Sequence, residues 1–343
     1  MRSLLALIVC LALAACARPA PEGVTELTYA TPYPPSHPFS RADQRWIDYV
    51  EQQSQGRLKV RPIWSGVLLS SDMSMEELRH GVADIGLITP IYVRGGTHLI
   101  RVQSGFYSGA DSVEAQVEVY RCLEAQVPQV TEELEGLKVL AVQGGLLPGV
   151  LTRTKKVAEL DDLRGLRLRA PTELLPVLQA LGADPVNMPM GEVYSALAKG
   201  VIDGVVAPPD TLRALHFAEV SRYYYELRVP RGAYPARAMG KHRWDSLEGW
   251  QQDLLNGSIA VWESALADEV RLSEAAGREE GEGIITFTEP NAADQQAFDA
   301  LYLREAETNA ASLQQFGIDG TRAFRVARAS IRGRDQIKCG EIE

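Results

Sequence analysis

Arginine is the side chain best suited to hold a small carboxylate, because its planar guanidinium offers parallel N–H donors that match both oxygens at once. Arg169 stands near the end of a strand-like run, Leu166 to Pro171, where a chain leaving a sheet would meet a ligand. On residue type alone two roles stay open for it, a solvated surface group or a carboxylate fork. Arg164 and Arg167, in the same cluster, read as solvated. Segments in comparable places carry other polar or aromatic side chains: His37 in Pro34-Pro35-Ser36-His37, Trp64 in Trp64-Ser65-Gly66, Thr89 and Tyr92 in Thr89-Pro90-Ile91-Tyr92, and Asp210 after Pro208-Pro209. Each is a candidate for a pocket wall and equally for a structural turn.

This is chemistry for binding rather than for catalysis, so the chain is expected not to be an enzyme. A Gly-x-Ser-x-Gly elbow, a His-Glu-x-x-His zinc helix and a Gly-rich phosphate loop ahead of a helix do not occur in the sequence. The five histidines (His37, His80, His98, His216, His242) have no metal-ligand spacing, and no cofactor or metal is expected. An exported hydrolase, with a triad assembled only in the fold, remains the rival from another class. The formal net charge of −10 argues against a nucleic-acid partner.

The elements that must position these residues come in two copies. Residues 81–90 read GVADIGLITP and residues 200–209 read GVIDGVVAPP. Ahead of each lies a short helical segment stopped by a glycine, Gly81 or Gly200, at the place where a left-handed residue is favoured. Ahead of those come strand-like runs at 58–64 and 184–190, longer helical patterns at 40–56 and 172–182, and opening strands at 27–31 and 166–171. Both halves therefore read β-α-β-α-β, which implies parallel strands with helices on their faces. Ligands in such sheets bind beyond the carboxyl ends of the strands. The fold class is α/β, a two-lobe binding-protein architecture with a cleft between the lobes. Closure is expected about hinges near 143–150 and 230–240. The Tyr223-Tyr224-Tyr225 run suggests a strand that crosses between lobes. After residue 240 long helical patterns take over, at 246–277 (two helices or one kinked at Gly257) and 291–317, expected to pack across both lobes.

The first residues belong to targeting. Arg2 precedes an apolar stretch too short to span a bilayer, and Leu13-Ala14-Ala15-Cys16 resembles a bacterial lipobox. Cys16 is expected to be the lipid anchor, the alternative being ordinary cleavage after an Ala-x-Ala. The expected layout is a signal peptide over 1–15, a tether over 16–23, a first lobe of 24–143 plus about 236–275, a second of 144–235 plus about 276–330, and a tail over 331–343. The protein would then work outside the cytoplasm, at the membrane only through its anchor. Cys10 leaves with the signal. Cys122 and Cys339 either pair, closing a loop that would be worth about 5 kcal/mol by chain entropy, or stay as unrelated thiols.

Residues 165–204 resemble the DctP-type solute-binding proteins of TRAP transporters. The features that match are Arg-x-Pro at 169–171, Leu-Gly-Ala at 181–183, Pro185, Met-Pro at 188–189, Glu-Val-Tyr at 192–194, Ala-Leu at 196–197 and Gly-x-x-Asp-Gly at 200–204. A weaker match covers 27–90. The resemblance implies a monomeric extracytoplasmic receptor that passes a small organic acid to TRAP permease subunits, with Arg169 on the ligand carboxylate and Tyr194 in or behind the pocket. A receptor for another importer or a sensor is the alternative within binding proteins. The sequence departs from the family at several ligand positions. Met190-Gly191 stands where Phe-Ser is common, Ala207 where an asparagine is common, and GGLLPGVLTRT at 144–154 has no basic residue at the place of the family's second arginine. Met190 and Ala207 thus occupy ligand-facing positions in a pocket expected to be less polar, suited to a rather apolar monocarboxylate. Asp210 is placed to replace the lost amide and would favour a hydroxyl or amine on the ligand.

Overall fold

The computed structural model describes residues 23–93 and 95–340. The signal segment and Cys16 lie outside the described residues. Eleven strands build two sheets: β1 (Thr25–Ala30), β2 (Leu58–Ile63), β3 (Ile85–Leu87), β4 (Leu137–Gln143), β5 (Gly149–Thr152), β6 (Arg167–Arg169), β7 (Asp184–Val186), β8 (Gly204–Ala207), β9 (Tyr223–Tyr225), β10 (Tyr234–Gly240) and β11 (Thr286–Thr288). The first sheet runs β2-β1-β3-β10-β4 and the second β11-β9-β5-β8-β6-β7. Strands β1, β2 and β3 are parallel, as are β6, β7 and β8. In each sheet the next position is filled by an antiparallel strand that has crossed from the other half, β10 in the first and β5 in the second. The crossings fall at 144–148 and 226–233.

The repeat is structural. Gly81 and Gly200 both adopt positive φ, +74° and +68°, a region open to glycine because it has no Cβ. Asp84 accepts from the backbone N–H of Thr28 on β1 at 2.7 Å, and Asp203 accepts from that of Arg167 on β6 at 2.8 Å. Each aspartate thus ties the loop ahead of the third strand to the first. In register, Ala30 pairs with Gly86 on β3, and Arg169 pairs with Val205 on β8. Ala30 and Arg169 are therefore the same position in the two lobes.

The principal helices are α1 (Pro38–Gln53), α2 (Ser74–Arg79), α3 (His98–Gln103), α4 (Val113–Gln126), α5 (Leu175–Ala180), α6 (Met190–Ala198), α7 (Gly249–Gly257), α8 (Ile259–Gly281), α9 (Ala292–Ser312) and α10 (Gly320–Ser330). Side chains start several of them: His37 accepts from the Phe39 N–H, Ser112 from Ala115, Asn291 from Asp294 and Asp319 from Arg322, each satisfying an otherwise orphaned donor. Helix α1 turns Trp46, Ile47 and Val50 inward against α8, where Trp46 stacks on Trp262 with centroids 3.7 Å apart. The 246–277 pattern resolves as two helices breaking at Ser258.

Helix α8 spans both lobes. It leaves the α1 core and reaches the segment after β8, where a Cβ on Gly277 would lie 2.2 Å from the Pro209 carbonyl oxygen. Helix α9 also spans them: Phe298 and Tyr302 pack on the second lobe, Ala306 and Ala310 on the first. Two expectations are corrected here. Helix α10, placed by the sequence with the second lobe, packs against α4 of the first through Ala323, Val326 and Ala327. The Tyr223–Tyr225 strand does not cross between lobes but lies inside the second sheet between β11 and β5, because its apolar neighbours there bury all but its edge. The tail ends in a small β-hairpin, Ile331–Gly333 with Gln336–Ile337, and Cys339 is disulfide-bonded to Cys122 on α4. Among the described residues no helix is long and apolar enough to cross a membrane.

Candidate functional site

A cavity of about 120 Å³ lies between the lobes, beyond the carboxyl ends of β1, β3, β6 and β8. It is on the scale of the ~150 Å³ engineered cavity that accepts a benzene ring. Its apolar walls include Ile91, Pro148, Leu174, Val206, Leu215 and Val229. Arg169 reaches it from the end of β6 and is only 2% exposed. Its Nε donates to the Met188 carbonyl at 2.9 Å, and one terminal nitrogen, Nη2, donates to the Tyr92 hydroxyl at 2.6 Å. The second contact bridges the lobes. No carboxylate oxygen among the described residues lies within 4.0 Å of this guanidinium.

The other fully buried arginine shows what a structural one looks like. Arg237 on β10 has no exposed surface and pairs with Asp43 at 2.9 Å. Asp43 also accepts from Trp262 at 2.9 Å and from the Tyr29 hydroxyl. Arg237 donates further to Gln143, whose amide donates to the Tyr234 hydroxyl at 3.1 Å on the cavity wall. A buried cation is costly unless paired. Arg237 has a counter-ion in contact; Arg169 has none within 4.0 Å among the described residues, only the more distant Glu173 across the same cavity wall.

Six of the sequence candidates converge on the cavity: Arg169, His37, Thr89, Tyr92, Met190 and Asp210. His37 is stacked 4.0 Å from Tyr33 and held neutral, its pKa pushed down to about 3 by burial and then by the Arg41 and Arg237 cations. Its Nδ1 accepts the Phe39 N–H, so the ring proton sits on Nε2. The Thr89 hydroxyl is already donated to the Ser71 carbonyl, leaving its body as wall.

Three candidates are elsewhere. Tyr194 faces outward on α6 and donates to Glu219 at 2.7 Å, because the helix turns Val193 and Leu197 inward instead. Ala207 is buried in the second lobe's core, its carbonyl accepting from the Tyr224 hydroxyl at 2.9 Å; the strand pleat sends its neighbours Val206 and Pro208 to the cavity. Trp64 packs edge-on against Tyr29 beside the first core, away from the cavity.

Sequence reasoning missed Arg231, Glu173, Tyr33, Tyr234 and Tyr302, all on the cavity wall. Arg231 puts a second cation on the cavity wall from the 226–233 crossing, where 144–154 offers none; the Pro230-Arg231-Gly232 run ahead of a strand was its signal. Glu173 sits two residues after Pro171. Its carboxyl is raised chiefly by burial, against the pull of its own backbone N–H, Ser104, Arg169 and Arg231. Asp210 is pushed up to about 7, again chiefly by burial, with Arg231 the largest opposing charge. The cavity is therefore more charged than the pocket expected from sequence. Among the described residues no group of three or more His, Cys, Asp or Glu side chains could hold a metal ion.

This architecture, two lobes sharing crossed strands and closing on a small cavity, defines the class of periplasmic-type binding proteins. The profile of the bacterial extracellular solute-binding protein family 7, DctP, matches residues 29–308, and the chain belongs to that family. The fold superposes on a TRAP solute-binding protein from Rhodoferax ferrireducens with copurified benzoate (TM-score 0.79, 24% identity, 89% of this chain and 97% of that one). It also superposes on one from Bordetella bronchiseptica with bound mandelate (TM-score 0.78, 22% identity, 90% and 99%). A solute-binding protein from Albidiferax ferrireducens is 25% identical over 60% of this chain and 61% of its own length. The chain spans about half to three-fifths of the curated relatives it matches.

Proposed function

We propose that the protein is an extracytoplasmic receptor that captures a small organic monocarboxylate with a compact apolar body and delivers it to a TRAP permease. Arg169 carries this reading: a buried guanidinium, with no described carboxylate within 4.0 Å, at the wall of an interlobe cavity on the scale of one aromatic ring. A ligand carboxylate would supply the missing counter-ion through charge-assisted hydrogen bonds. The benzoate and mandelate carried by the two similar structures are acids of this size and character, which supports the same class here. Residues from both lobes line the cavity, so a bound acid favours the closed state by the contacts it makes only there. Export and tethering through Cys16 belong to the same proposal.

Thermal melting against a library of carboxylic acids tests it, with Arg169→Ala alongside. An acid at one hundred times its dissociation constant should stabilise the wild type by about 2.7 kcal/mol. The variant should show no such shift. Equal shifts in both proteins would remove Arg169 from the site, and no shift with any acid would overturn the ligand class.

A further inference from the structure

Asp210 follows the Pro208-Pro209 end of β8 and is 6% exposed on the cavity wall. It precedes the short helix Thr211–Ala214, where an aspartate would ordinarily cap, yet its side chain makes no capping bond. It has no ion pair within 4.0 Å, and its Oδ1 is shut from solvent with no hydrogen-bond partner. An ion pair and a side-chain cap, the usual structural reasons for a buried aspartate, are thus missing among the described residues; only backbone N–H groups, that of Thr211 and its own, engage the carboxyl. Glu173 also has an unpartnered oxygen, Oε2, but a side chain, that of Ser104, engages its carboxyl in addition to its own N–H, whereas no side chain engages that of Asp210. An unpaired buried acceptor is expensive, and a ligand group that satisfies it gains what the free protein lacks.

We propose that Asp210 Oδ1 accepts a hydrogen bond from a hydroxyl on the body of the ligand, so that the preferred solutes are hydroxy-substituted monocarboxylates. The inference rests on the receptor reading above. One orphaned oxygen matches one O–H. An ammonium group would present further N–H donors to apolar walls, close to the Arg231 cation that already acts on Asp210. Arg169 fixes the carboxylate end and Asp210 the hydroxyl end, which together orient the molecule.

The test is calorimetric titration of the wild type, Asp210→Ala and Asp210→Asn with benzoate, the three hydroxybenzoates and 3-(aminomethyl)benzoate. At pH 8, where Asp210 is ionised, the wild type should prefer one hydroxybenzoate over benzoate by roughly ten- to hundredfold, the scale of a hydrogen bond to a charged acceptor. Asp210→Ala should reduce that preference, read as the ratio of hydroxybenzoate to benzoate affinity within the variant, to within about threefold. Asp210→Asn keeps an acceptor oxygen and should retain part of the preference, which separates a lost contact from a damaged fold. A preference undiminished in Asp210→Ala would overturn the inference, as would tightest binding of the aminomethyl compound. Benzoate binding with no hydroxyl preference in the wild type would also overturn it while leaving the receptor reading intact. Failure of every acid to bind the wild type would overturn both.

Discussion

Ala30 and Arg169 hold the same register position in two lobes built on one plan. The lobes share strand order, the glycine that stops the second helix, and the aspartate that ties the next loop to the first strand. They part at the strand end that faces the cavity. The first lobe has a methyl group at that position, packed into its own core, and contributes rings to the cavity instead, Tyr33, His37, Tyr92 and Tyr234. The second puts charge there, Arg169 and Asp210. The repeated residues are architecture, and the unrepeated ones are where binding is to be sought. The two buried arginines teach the same lesson. Arg237, inside the first lobe, has a counter-ion, Asp43, and a further acceptor, Gln143, supplied by the protein, and only its Nη2 lacks a partner. Arg169, in the second, has half of its reason missing.

The sharpest way to break this comparison is to remove each arginine in turn. Arg237→Ala would leave Asp43 as an unpaired buried charge and should destabilise the protein by about 3–5 kcal/mol, read from urea unfolding. Arg169→Met removes a buried cation with no carboxylate in contact but with hydrogen bonds to Met188 and Tyr92, so the ligand-free protein should lose no more than about 1–3 kcal/mol, less than with Arg237→Ala. A loss of stability comparable to that of Arg237→Ala would show that Arg169 is architectural too.

Asp210 sharpens the contrast through pH. Its folded pKa is raised to about 7, chiefly by burial, from the unfolded 3.8. Below pH 4 the group is protonated in both states and costs nothing. Between about pH 4 and 7 the unfolded chain releases its proton and the folded protein holds it, so stability falls as pH rises and levels off above 7. At 1.36 kcal/mol per unit the full effect is on the order of 4 kcal/mol. Asp210→Asn should therefore become progressively more stable than the wild type from pH 4 to 8. Other raised carboxyls, such as Glu133, Glu173 and Glu263, remain in both proteins and cancel in the difference. A pH-independent difference would mean that Asp210 is solvated in the free protein.

What the sequence made legible follows from what is local. The two-lobe plan was readable because a glycine stop, a buried strand and a proline recur together, and each depends on near neighbours in the chain. Arg169, His37, Thr89, Tyr92 and Asp210 were readable as candidates because they follow strands whose carboxyl ends face a cleft, and Met190 because the family resemblance sets it at a ligand-facing position. Tyr194 and Ala207 were misplaced by a single step of helical or strand phase, which neighbouring residues could have claimed equally well. Arg231 and Tyr302 could not be placed in that way. One lies on a crossing segment and the other on a helix that reaches back over both lobes, so their nearness to Arg169 is a product of tertiary packing. The same holds for α10, whose apolar stripe fits either lobe until the chain path assigns it.

The smallest effect tests whether the lobes communicate through the site. Tyr92, from the first lobe, accepts from Arg169 at 2.6 Å, whereas Tyr194 donates to Glu219 on the exposed face of α6. Tyr92→Phe keeps the ring but deletes the hydroxyl that joins the lobes at the ligand's counter-ion. At about 0.5–1.5 kcal/mol for one hydrogen bond, acid affinity should fall by a few-fold to about tenfold, measured by calorimetry. Tyr194→Phe removes a contact between solvated groups and should leave affinity unchanged. Equal effects from the two would mean that the Arg169–Tyr92 bond gives way to the ligand, with the carboxylate taking the hydroxyl's place on the guanidinium. Affinity would then be set by the second lobe alone, and the first would serve only to close over it.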